Sequence, residues 1–163
     1  MAKTEDSGVM PLIYTLSFPS DEDICDLAAH LRQSDIDELV AIGDDTPEEV
    51  IIKSMQASDP ALTRAAHVDG RLACIFGCSP RAEHIAAPWL LCTDVVSNYN
   101  KTLTRDTKQV VRGMLEKYPV LTNVVDVRNT RTIQWLEVLG FKMMEIVEYK
   151  PGFPLFRFEM RAA

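Results

Sequence analysis

What this chain lacks narrows its function before any motif is read. Cys25, Cys74, Cys78 and Cys92 fall at no CxxC spacing and have no neighbouring histidine partners, so the expectation is no metal site and buried free thiols in a reducing compartment. No stretch approaches 18 uncharged apolar residues, so no membrane segment is expected. The opening dozen residues, MAKTEDSGVMPL, have no long apolar core of the kind a secretory signal needs, and residues 1–12 read as a flexible leader. Lysine and arginine form no clustered stripe with interleaved aromatics, so nucleic acid is not an expected partner. Internal repeats and low-complexity tracts are absent as well.

What remains is a chain of 163 residues, 47% hydrophobic, which is enough to bury one core without staples. Residues 13–163 read as a single domain. Its net charge of −7 is unevenly spread. Residues 1–60 carry 14 acidic against 3 basic side chains, a balance of −11, and residues 61–163 carry 10 against 14, a balance of +4. The acidic third reads as a solvated helical face, with an acidic docking surface as the sharper alternative.

The order of elements follows from hydrophobic period and punctuation. IYTLSF (13–18) is strand-like. PSDEDICDLAAHLRQ has Ser20 as N-cap, acids in the first turn and apolar residues at Ile24, Leu27, Ala28 and Leu31, the pattern of an amphipathic helix. SDIDELVAIG predicts a second short helix ending at Gly43, and TPEEVIIKSMQAS a third, with Thr46 as N-cap and Pro47 in its first position. LTRAAHV and RLACIFGCS are β-like runs joined by Asp69-Gly70, the signal of a two-residue type I′ hairpin. PRAEHIAAP reads as a loop, and WLLCTDVV (89–96) as the next strand. A helix is predicted over 102–117, ended by Pro119, followed by the strand VLTNVVDV, a helix over 130–139, and two closing strands around a Pro-Gly turn.

That order is α+β, with one mixed, mostly antiparallel sheet, helices on both faces and a parallel crossover between the fourth and fifth strands. The segment NTRTIQWLEVLGF (129–141) is informative about its corner. Asn129 caps the first turn, Ile133, Leu136 and Leu139 form the stripe that docks on the sheet, Gly140 permits a left-handed stop, and Phe141 leads the next strand into the core. The spacing of Asn129, Thr132, Leu136, Gly140 and Phe141, set behind that order of elements, resembles the GCN5-related N-acetyltransferase (GNAT) superfamily. The resemblance implies a GNAT-like single domain and acetyl-CoA as the possible co-substrate.

Two departures from that pattern bear on chemistry. The family usually cradles the pyrophosphate of acetyl-CoA on a glycine-containing loop before the helix that follows the fourth strand, and the matching stretch here, SNYNKTLTRDTKQ, contains no glycine. The tyrosine that many members use to reprotonate the leaving thiolate falls on Leu136. The candidate donor-binding residues are Val95 and Val96, whose backbone is expected to be left unpaired by diverging strands, Lys101, Thr102 and Arg105 at the helix start, and Asn129. Asp94 is the candidate general base, and Thr93, His67 and His84 are weaker ones.

A closer resemblance covers roughly residues 16–161. HVDGRLACIFGCSP, APWLLCTDVV, VVDVRNTRTIQWLEVLGF and FPLFRFEMR are similar to a family of small proteins of short-tailed phages and prophages, related to a minor internal virion protein needed for assembly. This implies a phage origin, a protein partner, and residence in the host cell cytoplasm or the virion. The expectation is an internal virion or assembly protein with a degenerate acyl-CoA site, the alternative being an acetyl-CoA-dependent N-acetyltransferase with an atypical pyrophosphate site.

Overall fold

The computed structural model describes residues 14–98 and 100–163, so the leader assigned to residues 1–12 lies outside the described residues. A short strand β1 (Tyr14–Ser17) is followed by three helices, α1 (Asp21–His30), α2 (Gln33–Ile42) and α3 (Pro47–Ala57). Then come β2 (Arg64–Val68), β3 (Arg71–Ala82), β4 (Ile85–Cys92), α4 (Asn100–Lys117), β5 (Val120–Asp126), α5 (Thr130–Leu139), β6 (Lys142–Glu148) and β7 (Pro154–Arg161). The seven strands form one sheet in the order β1-β2-β3-β4-β5-β7-β6, and β4–β5 is its one parallel pair. No helix among the described residues is long and apolar enough to cross a membrane.

Local chemistry sets the helix ends. Ser20 and Thr46 each head a capping box, accepting from the N–H three residues on while Asp23 and Glu49 reach back to the cap N–H. Asn129 accepts from the Thr132 N–H at 3.2 Å, and Gly140 stops α5 at φ 110°, where any side chain would be strained and a Cβ would also press on Met160. Asp69 and Gly70 both have positive φ, as a type I′ turn requires.

The sheet separates two main packed layers. On one face α4 and α5 bury Val111, Met114 and Leu136 against Cys78, Ala86, Leu121, Val125 and Phe158. On the other, α1 and α3 bury Leu27, Leu31 and Ile51 against Ala65, Leu72, Ile75 and Leu91. Leu136 is therefore a core residue, 7% exposed.

Two expectations need correction. Residues 80–88 are not a loop: β3 and β4 run on as one long hairpin, pairing Ser79 with Ala87 and Pro80 with Ala86, and turning at Glu83-His84. Pro80 and Pro88 disguise this, yet neither interrupts the hairpin, because each ring replaces an N–H that would have pointed away from the partner strand, Pro88's toward β5. The fourth strand accordingly ends at Cys92, and residues 94–98 form a 3-10 turn. The acidic helices do not keep every carboxylate in water either, because Asp35 is 4% exposed and Glu38 is half-buried.

Gly77 carries a further constraint. A Cβ there would meet the Trp89 ring at 2.8 Å, and that ring is held by its indole N–H donating to Ser58 Oγ at 2.7 Å. Gly77→Ala is expected to cost about 1–3 kcal/mol, and a double-mutant cycle with Trp89→Leu in urea titrations should recover most of it. Additive losses in that cycle would show that the indole is not what Gly77 accommodates.

Candidate active site

Where β4 and β5 part, the sheet has a hole. The two strands pair only at Ile85–Val120 and Ala86–Leu121. The next β4 residue turned toward β5 is Pro88, which has no N–H to continue the ladder. Asn123 spans the crotch instead, its Nδ2 donating to Pro88 O at 2.8 Å while its Oδ1 accepts from Val124 N–H at 2.8 Å.

Diverging strands leave backbone groups that must find partners. At the open end of β4, the Cys92 N–H donates to Asp35 Oδ2 at 2.8 Å and the Cys92 carbonyl accepts from Arg32 N–H at 2.9 Å. At the end of β5, the Asp126 N–H donates to Glu38 Oε1 at 3.2 Å. Three polar groups from the N-terminal end and middle of α2 thus plug the gap. Alternation along β4 places the Leu90 N–H and C=O on the same side as those of Pro88 and Cys92. Among the described residues, no side chain caps the Leu90 pair.

A cavity of about 320 Å³ runs through this opening. Leu103, Val110, Met114 and Trp135 line it on the α4–α5 side, and Leu39, Ile42, Val50 and Trp89 on the other. A second, polar cleft of about 260 Å³ is lined by Ser34, Asp37, Glu38, Asp126, Arg128 and Asn129. Glu38 is the residue the two share.

The electrostatics single out the same side chain. Burial pushes the Glu38 carboxyl up to about 7, helped by the nearby carboxylates of Asp35 and Asp126 and opposed by the Asp126 N–H and by Asn129, whose Nδ2 donates to Glu38 Oε1 at 3.2 Å. Its neighbour Asp126 moves the other way, held low by Arg128, which reaches it through Nε and Nη2. Burial pushes Asp35 up against the pull of Arg32, whose Nε lies 2.9 Å away. Glu38 is thus a carboxyl poised to exchange a proton near neutral pH, at the meeting point of an apolar cavity and a polar cleft.

The residues predicted from sequence are distributed unevenly around this point. Asn129 is in it, orienting Glu38. Asp94 is exposed at the start of the 3-10 turn and does not line the cavity. The Val95 N–H donates to Thr93 Oγ1 at 3.3 Å and the Val96 N–H to Thr93 O at 3.4 Å, and both side chains pack into a small core with Cys74 and Cys92. The unpaired edge expected at Asp94–Val96 therefore lies further back, at Leu90. Lys101 and Arg105 are exposed on the first turns of α4 and Thr102 is half-buried, with Arg105 Nε on Asp106 Oδ1 at 3.1 Å. Thr93 is buried and donates to Leu72 O, His67 pairs with Asp23 at 2.8 Å, and His84 is exposed in the β3–β4 turn. Among the described residues, no group of three or more His, Cys, Asp or Glu is placed to hold a metal ion. Glu38 was missed because its sequence context, DIDELV, is that of an ordinary acidic helix.

No family model matches the chain, and no curated protein matches it. Solved structures do. The chain is similar to a ribosomal-protein-alanine N-acetyltransferase from Brucella melitensis at 15% identity, over 91% of this chain and 99% of that one, with a TM-score of 0.66. It is similar to a Bacillus subtilis acetyltransferase solved in complex with CoA, at 8% identity over 94% and 100% of the two chains, with a TM-score of 0.66. Against Ard1 from Thermoplasma volcanium the identity is 12%, the coverage 92% and 98%, and the TM-score 0.68. At these identities the likeness establishes the fold, which is GNAT-like.

Proposed function

We propose that this protein is an acyl-CoA-dependent N-acyltransferase in which Glu38 is the general base. The observation that carries this is the position of Glu38 between the apolar cavity and the polar cleft, with a carboxyl that titrates near neutral pH. An amine acceptor entering past Asp37 and Asp126 meets Glu38 first. A thioester seated along the β4 edge places its carbonyl by the free Leu90 N–H, which supplies the hydrogen bond that charge on that oxygen demands. The acyl-CoA contributes an activated acyl group. Glu38 takes the proton released by the attacking nitrogen and returns it to the leaving sulfur, so the tyrosine missing at Leu136 is not required.

The fit to CoA is partial. The gap and the Leu90 pair suit the pantetheine amides as a strand-like addition, and this rests on Leu90 rather than on Val95 and Val96. Lys101, Thr102 and Arg105 offer charge and a hydroxyl at the helix start, although β-carbons there keep phosphates from approaching as closely as over glycine. Solved structures of this fold include a Bacillus subtilis acetyltransferase in complex with CoA and a Salmonella typhimurium one with acetyl-CoA, which supports a CoA thioester as the donor. A non-catalytic virion or assembly scaffold was the expectation drawn from the phage-type motifs, the missing glycines and Leu136. Leu136 packs in the core and a titratable carboxyl lies at the gap, so the absence of a tyrosine at that position does not favour a scaffold. A phage origin, a phage or host protein partner and residence in the virion rest on the sequence motifs alone.

The test is thiol release from acyl-CoA with peptide N-terminal amines and lysine ε-amines as acceptors. Wild-type kcat/KM should rise with pH to a plateau above about 7, and Glu38→Gln should lower it about 100-fold or more and remove that rise. Absence of both CoA binding and thiol release would end this reading.

Stability should move the opposite way. The folded pKa of Glu38 lies above its unfolded value, so the charged form costs stability, fully above about pH 7 and not at all below about pH 4.5. Glu38→Gln is expected to stabilise the protein by about 2–3 kcal/mol at pH 8, with the difference closing as the pH falls through that window. Urea titrations across pH would read it, and a pH-independent difference would sink the assignment of the raised pKa.

A further inference from the structure

Resting on the acyltransferase reading, we infer that the acyl group this site takes is longer than acetyl, an unbranched apolar chain of about four to eight carbons. The cavity of about 320 Å³ spans both sides of the opening, whereas an acetyl group displaces only about two water molecules at about 30 Å³ each. On the acyltransferase reading the pantetheine arm would take the α4–α5 side and the strand edge. Beyond the gap, on the α1–α3 face, the cavity continues between Leu39, Ile42, Val50, Trp89 and Leu91, an apolar stretch with Arg32, Asp35, Glu38, Asp45 and Ser54 also in the lining, which acetyl would leave empty.

Trp89 shows how this space is kept open. Its ring lies over Gly77, where the missing Cβ lets the indole settle flat on β3, and the hydrogen bond to Ser58 Oγ holds it there. The largest side chain of the region is thus a floor and does not plug the cavity. An apolar void that stays empty forfeits the contacts of every side chain around it, whereas a hydrocarbon chain regains them. The phosphate end points the same way. With no glycine between residues 97 and 109, the grip on pyrophosphate is weak, and the apolar end is where donor affinity can be recovered.

Titrate CoA, acetyl-, butanoyl-, hexanoyl- and octanoyl-CoA calorimetrically against the full chain. Affinity should rise about three- to four-fold per methylene, the equivalent of about 0.8 kcal/mol, making hexanoyl-CoA at least about 30-fold tighter than acetyl-CoA. Val50→Phe and Ile42→Phe both fill the far wall, and Ile42 is already 39% exposed and so tolerant of change. In either variant that keeps a cooperative thermal transition, the hexanoyl-to-acetyl ratio should fall below about 3, the loss of most of four methylenes. A flat series with CoA still bound, or a ratio that both folded variants leave intact, overturns the long-chain inference alone. No binding of any CoA species overturns the acyltransferase reading and this inference with it.

Discussion

The interaction on which the rest of this structure depends is one that is not made. β4 and β5 pair at Ile85–Val120 and Ala86–Leu121, and the ladder stops where Pro88 has no hydrogen to give. Opening a sheet exposes a row of polar backbone groups, each costing about 1–3 kcal/mol if buried without a partner. The protein meets that cost with side chains: Asn123 bridges the crotch, Asp35 and the Arg32 N–H satisfy Cys92, and Glu38 satisfies Asp126. These caps explain why α2 lies where it does and why carboxylates from an acidic helix end up inside. The Leu90 pair, left uncapped in the middle, is what gives the opening a use.

Placing Glu38 as a cap has an electrostatic consequence. A carboxylate that accepts from an N–H would ordinarily be stabilised as an anion, and the neighbouring Asp126 is an example, held low by the Arg128 side chain and N–H. Glu38 has only one N–H and one amide to lean on, little water, and two other carboxylates nearby, so its proton is retained to about pH 7. The same desolvation that makes it useful as a base makes it expensive to the fold. On the proposed function, activity and stability would pull against each other at this one side chain, a trade expected where a site is held in an uncomfortable state.

The two faces of the sheet divide the remaining work. On the α4–α5 side, Val111, Met114, Leu136 and Phe158 form a conventional core that carries stability and leaves the gap open at its edge. On the α1–α3 side, Trp89 is pressed onto Gly77 and tied to Ser58, keeping apolar volume free beside the gap. The solved structures that share the fold carry this frame at 8–15% identity in the three compared, so the frame survives nearly complete replacement of its side chains. In this chain the gap itself is held by Pro88, Asn123 and the trio Arg32, Asp35 and Glu38.

The sequence by itself determined whatever depends on neighbours a few residues away. The capping boxes at Ser20 and Thr46, the Asp69-Gly70 turn, and the Asn129 to Phe141 corner were legible because caps and turns are closed by hydrogen bonds within three or four residues. From the order of those elements the mixed sheet and its parallel pair followed. Tertiary structure decided the rest. The β3–β4 hairpin through Pro80 and Pro88 was read as a loop, since whether a proline breaks a strand depends on which side its missing N–H would have faced. The resemblance puts Asp94, Val95 and Val96 at the gap, but the strand ends at Cys92, and the Val95 and Val96 amides close a turn on Thr93. Glu38 was invisible because a glutamate on an acidic helix is made into a base by burial and by Asp35, Asp126 and Asn129, and most of those partners lie some ninety residues away in the chain and are brought together by folding alone.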